Sequence, residues 1–186
     1  MNKKDDRFLK VLKEFIQSMI ISLVFVIVLT QFVIRPVRVE GLSMYPSLND
    51  KEIGVSNILS NKLSQVKRFD VVVVYLEEQN KYIVKRVIAL PGEEVEYRDE
   101  VLYINGEPVD EPFLNTSFKE QFVNEDKEFM RDLDAVKVPK DHYFLLGDNR
   151  PNSIDSRNYG FFPRNSIKSK SVFVFLPINR IRRVGR

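Results

Sequence analysis

One apolar segment constrains the folding of this 186-residue chain more than any other feature. Residues 15–34 carry no charged side chain and consist mainly of Ile, Val, Leu, Phe and Met. As a helix rising about 1.5 Å per residue, a segment of this length spans roughly 30 Å, the thickness of the hydrocarbon core of a bilayer. Pro36 follows at once and is expected to stop the helix. The segment is therefore predicted to be a transmembrane anchor.

Two other interpretations of this segment are weaker. A cleaved targeting peptide would have a shorter apolar run followed by small residues of the Ala-x-Ala kind, whereas Arg35, Pro36, Val37 and Arg38 follow here. A buried core helix would normally carry a polar face, and this segment has hardly any polar residues. A retained anchor fits the sequence best.

Basic residues are unevenly distributed on the two sides of the anchor. They are Lys3, Lys4, Arg7, Lys10 and Lys13 before it, and Arg35 and Arg38 close behind it. Because basic residues accumulate on the cytoplasmic side of membrane spans, residues 1–14 are predicted to be a cytoplasmic tail. Residues 35–186 would then form a body outside the cytoplasm that is long enough to bury a core of its own.

The composition of the body excludes several classes of function. The chain has a net charge of +3, of which the N-terminal tail supplies two charges, so the nearly neutral body is not expected to bind nucleic acid. The absence of Cys rules out a thiol nucleophile and Cys-based zinc sites.

Residues 179–186 are locally basic. They form either a solvated tail or a contact with anionic lipid, and the sequence leaves both open.

The body is predicted to be mainly β. Runs that are rich in β-branched or alternating apolar residues indicate strands at residues 70–76, 81–90, 94–104, 142–146 and 171–176. Asn105-Gly106 is expected to close a hairpin. Residues 113–134 are polar and only weakly periodic, which indicates a surface excursion with one short helix.

Ser43 and Lys85 are the candidate catalytic residues. A chain with no Cys and one His has few ways to build a hydrolase, and a Ser nucleophile with a Lys base is one of them. A free Lys with a pKa near 10.4 is neutral only about once in 2,500 at pH 7, but burial lowers that pKa by up to about 3–5. Lys85 has Ile83, Val84 and Val87 as apolar neighbours in sequence. Taken alone, Ser43 would be an ordinary turn serine and Lys85 a surface lysine.

A polar loop follows the strand predicted at residues 142–146. Residues 147–160 are rich in Gly, Asn, Asp, Ser and Pro, so their side chains are needed to satisfy the loop backbone. The charged residues that would brace the loop are Asp148, Arg150, Asp155 and Arg157. Bracing accounts for most of the loop, and Ser153 and Asp155 are the two residues for which a further role is expected.

Four segments together resemble the boxes of the bacterial type I signal peptidases, in the Gram-positive form with a single anchor, which are Ser-Lys peptidases of the S26 family. The segments are residues 43–48 (Ser-Met-Tyr-Pro-Ser-Leu), 68–73, 85–92 and 147–160. Each alone is a weak signal, but all four occur in order behind an anchor, and the resemblance covers nearly the whole chain. Ser47 stands where the family usually has Thr.

The resemblance implies a fold and a reaction. The fold would be one N-terminal transmembrane helix followed by an antiparallel, barrel-like β catalytic domain at residues 35–186, with a small inserted lobe at about 93–140. The reaction would be removal of N-terminal signal peptides from exported preproteins at the bacterial cell membrane, with the catalytic domain outside the cytoplasm and without cofactor or metal. The expected partners are preprotein substrates, membrane lipid and the secretion machinery, but no nucleic acid.

The resemblance also assigns roles to individual residues. Ser43 would attack the carbonyl before the scissile bond, Lys85 would accept its proton, and Ser153 would orient Lys85. The other supporting residues would be an Arg86–Asp148 ion pair with Asp155 and Arg157, and the substrate-binding residues would be Gly41, Leu42, Met44, Ile83 and Val84. Gly41 takes the place where Gram-negative relatives have an oxyanion-binding Ser. The backbone N–H of Ser43 is therefore expected to carry more of that role.

Two alternatives belong to other classes of function. A catalytically silent relative would be a membrane-bound peptide binder or assembly chaperone, but such proteins usually lack the Ser or the Lys, and this chain has both Ser43 and Lys85. A self-cleaving repressor-like Ser-Lys protease would carry a DNA-binding domain, whereas an apolar anchor occupies the N-terminus here.

Overall fold

A computed structural model of the chain describes residues 3–114, 116–123 and 128–185. Residues 1 and 2 of the predicted tail lie outside the described residues. The same holds for residue 115 and residues 124–127 of the predicted excursion, and for Arg186 of the basic C-terminal segment.

The N-terminal helix is longer than the predicted anchor. Helix α1 (Lys3–Val28) continues into a π-helix (Leu29–Val33) before the chain becomes extended. The stretch Arg7–Val33 is long and apolar enough to cross a membrane, and its most apolar window is not buried against the rest of the protein. Pro36 lies inside the first strand, β1 (Ile34–Arg38), so the helix ends before it reaches the proline.

The described strands form two antiparallel sheets. After β1, they are in chain order β2 (Ile53–Asn57), β3 (Val71–Leu76), β4 (Lys81–Ala89), β5 (Glu94–Arg98), β6 (Val101–Ile104), β7 (Glu107–Val109), β8 (Leu133–Lys137), β9 (His142–Leu146), β10 (Phe162–Pro163), β11 (Ile167–Leu176) and β12 (Arg182–Val184). The large sheet has the order β1-β2-β11-β3-β4-β9-β10, with β12 paired to β11, and the small sheet has the order β7-β6-β5-β8.

The predicted fold class, mainly antiparallel β behind one apolar helix, is confirmed. The large sheet does not close into a barrel, however. Among the described strands, the end strands β1 and β10 each pair with a single neighbour, β2 and β9. The large sheet is therefore an open antiparallel sheet and not a barrel.

The large sheet is covered on both faces. Val71 and Val73 of β3 pack with Met44 on one face, while Val72 and Val74 pack in a separate apolar cluster on the other. A strand that is buried on both faces has a continuous β-branched run instead of an alternating pattern. This burial is the reason why β3 could be located from the sequence.

The small sheet corrects the prediction of one long strand at residues 94–104. This run is two strands, β5 and β6, which pair with each other around Asp99 and Glu100. Both turn residues have positive φ, 50° and 61°, as the tight turn of a two-residue hairpin requires. The predicted turn at Asn105-Gly106 closes the next hairpin, between β6 and β7.

Short helices complete the described part of the chain: α2 (Ile58–Leu63), α3 (Thr116–Val123) and α4 (Ser156–Tyr159). Helix α3 is the short helix that was predicted within the excursion. Helix α4 begins at Asp155, whose side chain caps its first turn, and it lies in the polar loop that follows β9. This loop and the loop between β1 and β2 carry most of the predicted site residues.

Candidate active site

Ser43 lies in a compact loop between β1 and β2. Its two apolar neighbours in the loop, Met44 and Leu48, are buried in the core against the large sheet. The Leu48 N–H donates to the Met44 carbonyl (2.8 Å), and the Tyr45 N–H donates to the Leu42 carbonyl (3.0 Å). These contacts hold the half-buried Ser43 in a fixed turn.

Lys85 lies on β4, directly opposite Val72 of the neighbouring strand β3. Its side chain is almost completely buried, with 3% of its surface exposed. Ser43 and Lys85 both line a small cavity of about 90 Å³, which the segment following β1 and the first half of β4 enclose. The two candidate catalytic residues, distant in sequence, therefore meet at one site.

Burial changes the proton affinity of Lys85. Desolvation lowers its pKa from an ordinary value of 10.5 to about 8, opposed by the negative charges of Asp155 and Asp148 and assisted by Arg157 and Lys81. Among the described residues, neither aspartate forms an ion pair with Lys85, because Asp148 pairs with Arg86 and Asp155 with Arg157. The neutral amine is thus accessible near physiological pH.

The ion pair beside Lys85 is bidentate and buried. Arg86 Nε donates to Asp148 Oδ1 (2.8 Å) and Arg86 Nη2 donates to Oδ2 (2.7 Å). The second amino group, Nη1, donates to the carbonyl oxygens of Phe69 (2.9 Å) and Gly185 (2.8 Å). The guanidinium is therefore held by three separate segments of the chain.

Asp155 organises the opposite end of the polar loop. It is fully buried, and its Oδ2 accepts hydrogen bonds from the Gly147 N–H (3.0 Å) and Arg157 Nη2 (2.8 Å). Burial opposes its ionisation, but hydrogen bonding by Arg157 and the charge of that guanidinium hold the pKa of Asp155 below its ordinary value. The Ser153 hydroxyl also lowers the pKa of Asp155. Among the described residues, its buried Oγ has no hydrogen-bond partner at ordinary distance and angle.

Asn149 and Gly147 are site residues that the sequence reasoning did not single out. The Asn149 N–H donates to the Ser43 carbonyl (3.1 Å), and Asn149 Nδ2 donates to the Leu42 carbonyl (3.1 Å). A Cβ atom on Gly147 would collide with the Ser43 carbonyl oxygen and with Ser153 Oγ. Only glycine fits between the two loops. The Gly at the end of a buried strand was the one signal in the sequence that pointed to such a close approach.

Part of the predicted surface excursion also packs against the site. The Phe113 ring centroid lies 4.0 Å from Cζ of the Arg86 guanidinium, and the Phe118 ring of α3 packs edge-to-face on Tyr45 at 5.0 Å. The interpretation of residues 113–134 as a simple surface excursion was therefore wrong for this part of the segment.

The residues predicted to bind substrate fall into two groups. Met44, Ile83 and Val84 line the cavity together with the candidate catalytic residues. Gly41 and Leu42 lie outside this lining, and Leu42 is 54% exposed. Their assignment to substrate binding stays a prediction. Within the described ranges, no cluster of three or more His, Cys, Asp and Glu residues could hold a metal ion.

Comparison with known proteins identifies the family. The family model described as signal peptidase, peptidase S26, matches residues 12–176. A signal peptidase I of Bacillus licheniformis is 39% identical over 98% of this chain and 95% of its own length. Signal peptidase IB of Staphylococcus aureus (strain Mu50) is 34% identical over 93% of this chain and 94% of its own length. A crystal structure of a signal peptidase I from Enterococcus faecalis V583 is 35% identical, has a TM-score of 0.52, and covers 57% of this chain and 97% of its own.

These matches extend over most of the chain and indicate one class of enzyme, the peptidases. The chain belongs to the signal peptidase family, peptidase S26. The resemblance seen in the sequence and the prediction of a signal peptidase of the hydrolase class are confirmed by the same matches.

The burial of Lys85 predicts an unusual dependence of stability on pH. Because the folded pKa, about 8, lies below the unfolded value of 10.5, the protonated amine destabilises the fold by up to about 3 kcal/mol. This cost is fully present below pH 8 and disappears as the pH rises toward the unfolded pKa. Lys85→Met should therefore be more stable than wild type at pH 7, and the difference should shrink by pH 10, as measured by thermal or denaturant unfolding. The exposed Lys140→Met is the control and should show no such pH-dependent gain. Equal stability of Lys85→Met and wild type at pH 7 would mean that the amine is solvated.

Proposed function

We propose that this chain is a membrane-anchored signal peptidase I that removes N-terminal signal peptides from exported preproteins, with Ser43 as nucleophile and Lys85 as general base. The observation that carries the proposal is the small cavity lined by both Ser43 and a buried Lys85 with a lowered pKa. The curated names of relatives that match nearly the whole chain support the choice of substrate.

The proposed reaction proceeds through an acyl-enzyme. The neutral Lys85 amine accepts the Ser43 hydroxyl proton as Oγ attacks the carbonyl carbon before the scissile bond. The C–N bond then breaks as the Lys85 ammonium returns the proton to the leaving amine. A water molecule, deprotonated by the same amine, hydrolyses the ester and restores the Ser43 hydroxyl.

Backbone rigidity supports stabilisation of the oxyanion in this proposal. Gly41 offers no side-chain donor, so the Ser43 N–H is the expected backbone donor for the developing negative charge. The two hydrogen bonds from Asn149 to the carbonyls of Leu42 and Ser43 fix the peptide plane that contains this N–H and the peptide plane that follows it.

Strand β4 offers an edge on which an extended substrate can lie. β3 pairs with residues 81–86 of β4 on one side, whereas on the other side β9 pairs only with residues from Arg86 onward. The edge at Ile83 and Val84 is therefore open among the described strands, and an extended peptide can add to it as a strand. A cavity of about 90 Å³ favours small substrate side chains beside the scissile bond.

The proposed anchor is the apolar helix that includes Arg7–Val33. In this proposal the N-terminus is cytoplasmic and the β body faces the outside, as the excess of basic residues before the span indicates. Membrane lipid and the secretion machinery are the proposed partners at this boundary, together with the preprotein itself.

Ser43→Ala should abolish preprotein cleavage while leaving the thermal melt nearly unchanged, because only one half-buried hydroxyl is lost. The measurement is cleavage of a preprotein by the purified full-length enzyme, with mass spectrometry of the product N-terminus. Ser64→Ala, a substitution at the C-cap of α2, is the matched control and should retain full activity. Substantial cleavage by Ser43→Ala would remove Ser43 from the role of nucleophile.

The rate of cleavage should rise with pH through a limb near pH 8. The neutral amine of Lys85 is the active form, and with a pKa of about 8 only about one enzyme molecule in ten has it at pH 7. Activity is therefore lost as the pH falls through this pKa, measured as kcat/KM against pH. Lys85→Arg should be inactive at every pH, since a guanidinium does not deprotonate. An acidic limb near pH 4 would instead identify a carboxylate as the base.

The β body should be accessible from outside intact cells. Protease added to spheroplasts should digest residues 35–186 and leave a protected fragment that contains the apolar helix, as followed with an N-terminal tag. Spheroplasts lysed before the addition of protease serve as the control for complete access. Full protection of the body in intact spheroplasts would reverse the proposed orientation.

A further inference from the structure

Arg150 is a buried cation that the mechanism above does not use. It is 1% exposed, and each nitrogen of its guanidinium has a partner in the structure. Nε donates to the Gly147 carbonyl (3.2 Å), Nη1 donates to the Tyr97 hydroxyl (2.8 Å), and Nη2 pairs with the Glu111 carboxylate. The Tyr97 hydroxyl in turn donates to Glu111 (3.0 Å), which closes a three-membered network.

This network joins the small sheet to the polar loop of the site. Tyr97 belongs to β5, Glu111 follows β7, and Arg150 lies in the loop after β9. Two residues beyond Glu111, the Phe113 ring stacks on the Arg86 guanidinium at 4.0 Å. One short segment after β7 therefore holds two arginines of the polar site at once.

Gly147 is hydrogen-bonded through both of its backbone polar groups. Its N–H donates to Asp155 and its carbonyl accepts from Arg150, so both peptide groups that flank its Cα are fixed by side chains. The same Cα lies against the Ser43 carbonyl and Ser153 Oγ with no room for a methyl group. Gly147 is therefore fixed by side chains on both of its peptide groups and packed tightly against the Ser43 backbone.

We propose that Arg150 is a positioning residue, which the small sheet holds through Tyr97 and Glu111 so that the strip Gly147–Asn149 keeps the Ser43 backbone in its reactive position. The inference rests on the proposed function, because it takes Ser43 as the nucleophile. In this proposal the small sheet affects the reaction through Arg150 and does not itself contact the substrate.

Stability alone does not require this arrangement. Removing two charges from water costs as much free energy as a buried ion pair usually returns, and apolar residues of similar volume often stabilise a fold equally well. Apolar residues cannot, however, donate a hydrogen bond to the Gly147 carbonyl. If Arg150 positions the loop, this hydrogen bond should matter for catalysis beyond its effect on stability.

The test separates the loss of charge pairing from the loss of the donor. Arg150→Met leaves Glu111 as an unpaired buried carboxylate, so Tm and kcat should both fall. The double variant Arg150→Met/Glu111→Gln removes that unpaired charge, and Gln still accepts from Tyr97, so Tm should recover in large part. Because Gly147 still lacks its donor, kcat should stay about 100-fold below wild type, with little change in KM. Both are measured on full-length enzyme with a fluorogenic signal-peptide substrate.

Two further variants keep the test decisive if Arg150→Met does not fold. Arg150→Lys keeps the positive charge for Glu111 but cannot reach three partners with one ammonium group. It should melt close to wild type and still lose kcat, by about tenfold or more. Ile104→Val, in the core of the same small sheet, should lower Tm without lowering kcat. The acidic limb of the pH profile should stay close to pH 8, because Arg150 is not one of the main influences on the pKa of Lys85.

The inference fails if kcat recovers together with Tm in the double variant, or if Arg150→Lys cleaves at the wild-type rate. Either result would leave Arg150 as a structural ion pair only. The proposed function has a separate outcome in the same assay, since it fails only if Ser43→Ala retains cleavage. An inactive Ser43→Ala beside fully active Arg150 variants would refute the positioning role alone.

Discussion

The removal of the Lys85 amine from water is the constraint on which the rest of the site depends. Holding that amine inside the protein costs about 3 kcal/mol at neutral pH, and an adjacent carboxylate would cancel its effect by stabilising the ammonium. Two aspartates lie near enough to act on Lys85, but Asp148 and Asp155 are each paired with an arginine of their own. Two buried ion pairs thus leave the lysine without a counterion, and its pKa remains low enough for an amine to act as a base.

Pairing of this kind requires that distant segments be brought together accurately. The polar loop after β9 contacts the turn that carries Ser43 through Asn149 and Gly147, and it contacts the small sheet through Arg150. Asn149 contributes hydrogen bonds and Gly147 a close steric approach, so the loop and the turn are held in one position. The small sheet therefore acts as a buttress for the loop, and the large sheet holds Lys85 and the open edge of β4.

The sequence predicted those features that depend on local pattern or on a single residue type. The valines of β3, the Asn105-Gly106 turn and the apolar neighbours of Lys85 in the sequence could all be read directly. The split of residues 94–104 could not, since Asp99 and Glu100 adopt positive φ without a glycine to signal it. Nor could the partners of Arg150, because Tyr97 and Glu111 come from a different sheet and a different segment. An open or closed sheet likewise depends on the pairing of its end strands, which no local pattern encodes.

The hydrogen bond from Arg86 to the Gly185 carbonyl joins the surroundings of the site to a segment that is synthesised late. The apolar helix emerges from the ribosome before the turn with Ser43 and the strand with Lys85. Strand β12, which places Gly185 by pairing with β11, is made after the other described strands. Until it arrives, the guanidinium next to the lysine lacks one of its carbonyl partners and the chain lacks the final strand of its large sheet. Ser43 and Lys85 are thus both synthesised well before the surroundings of Arg86 are complete.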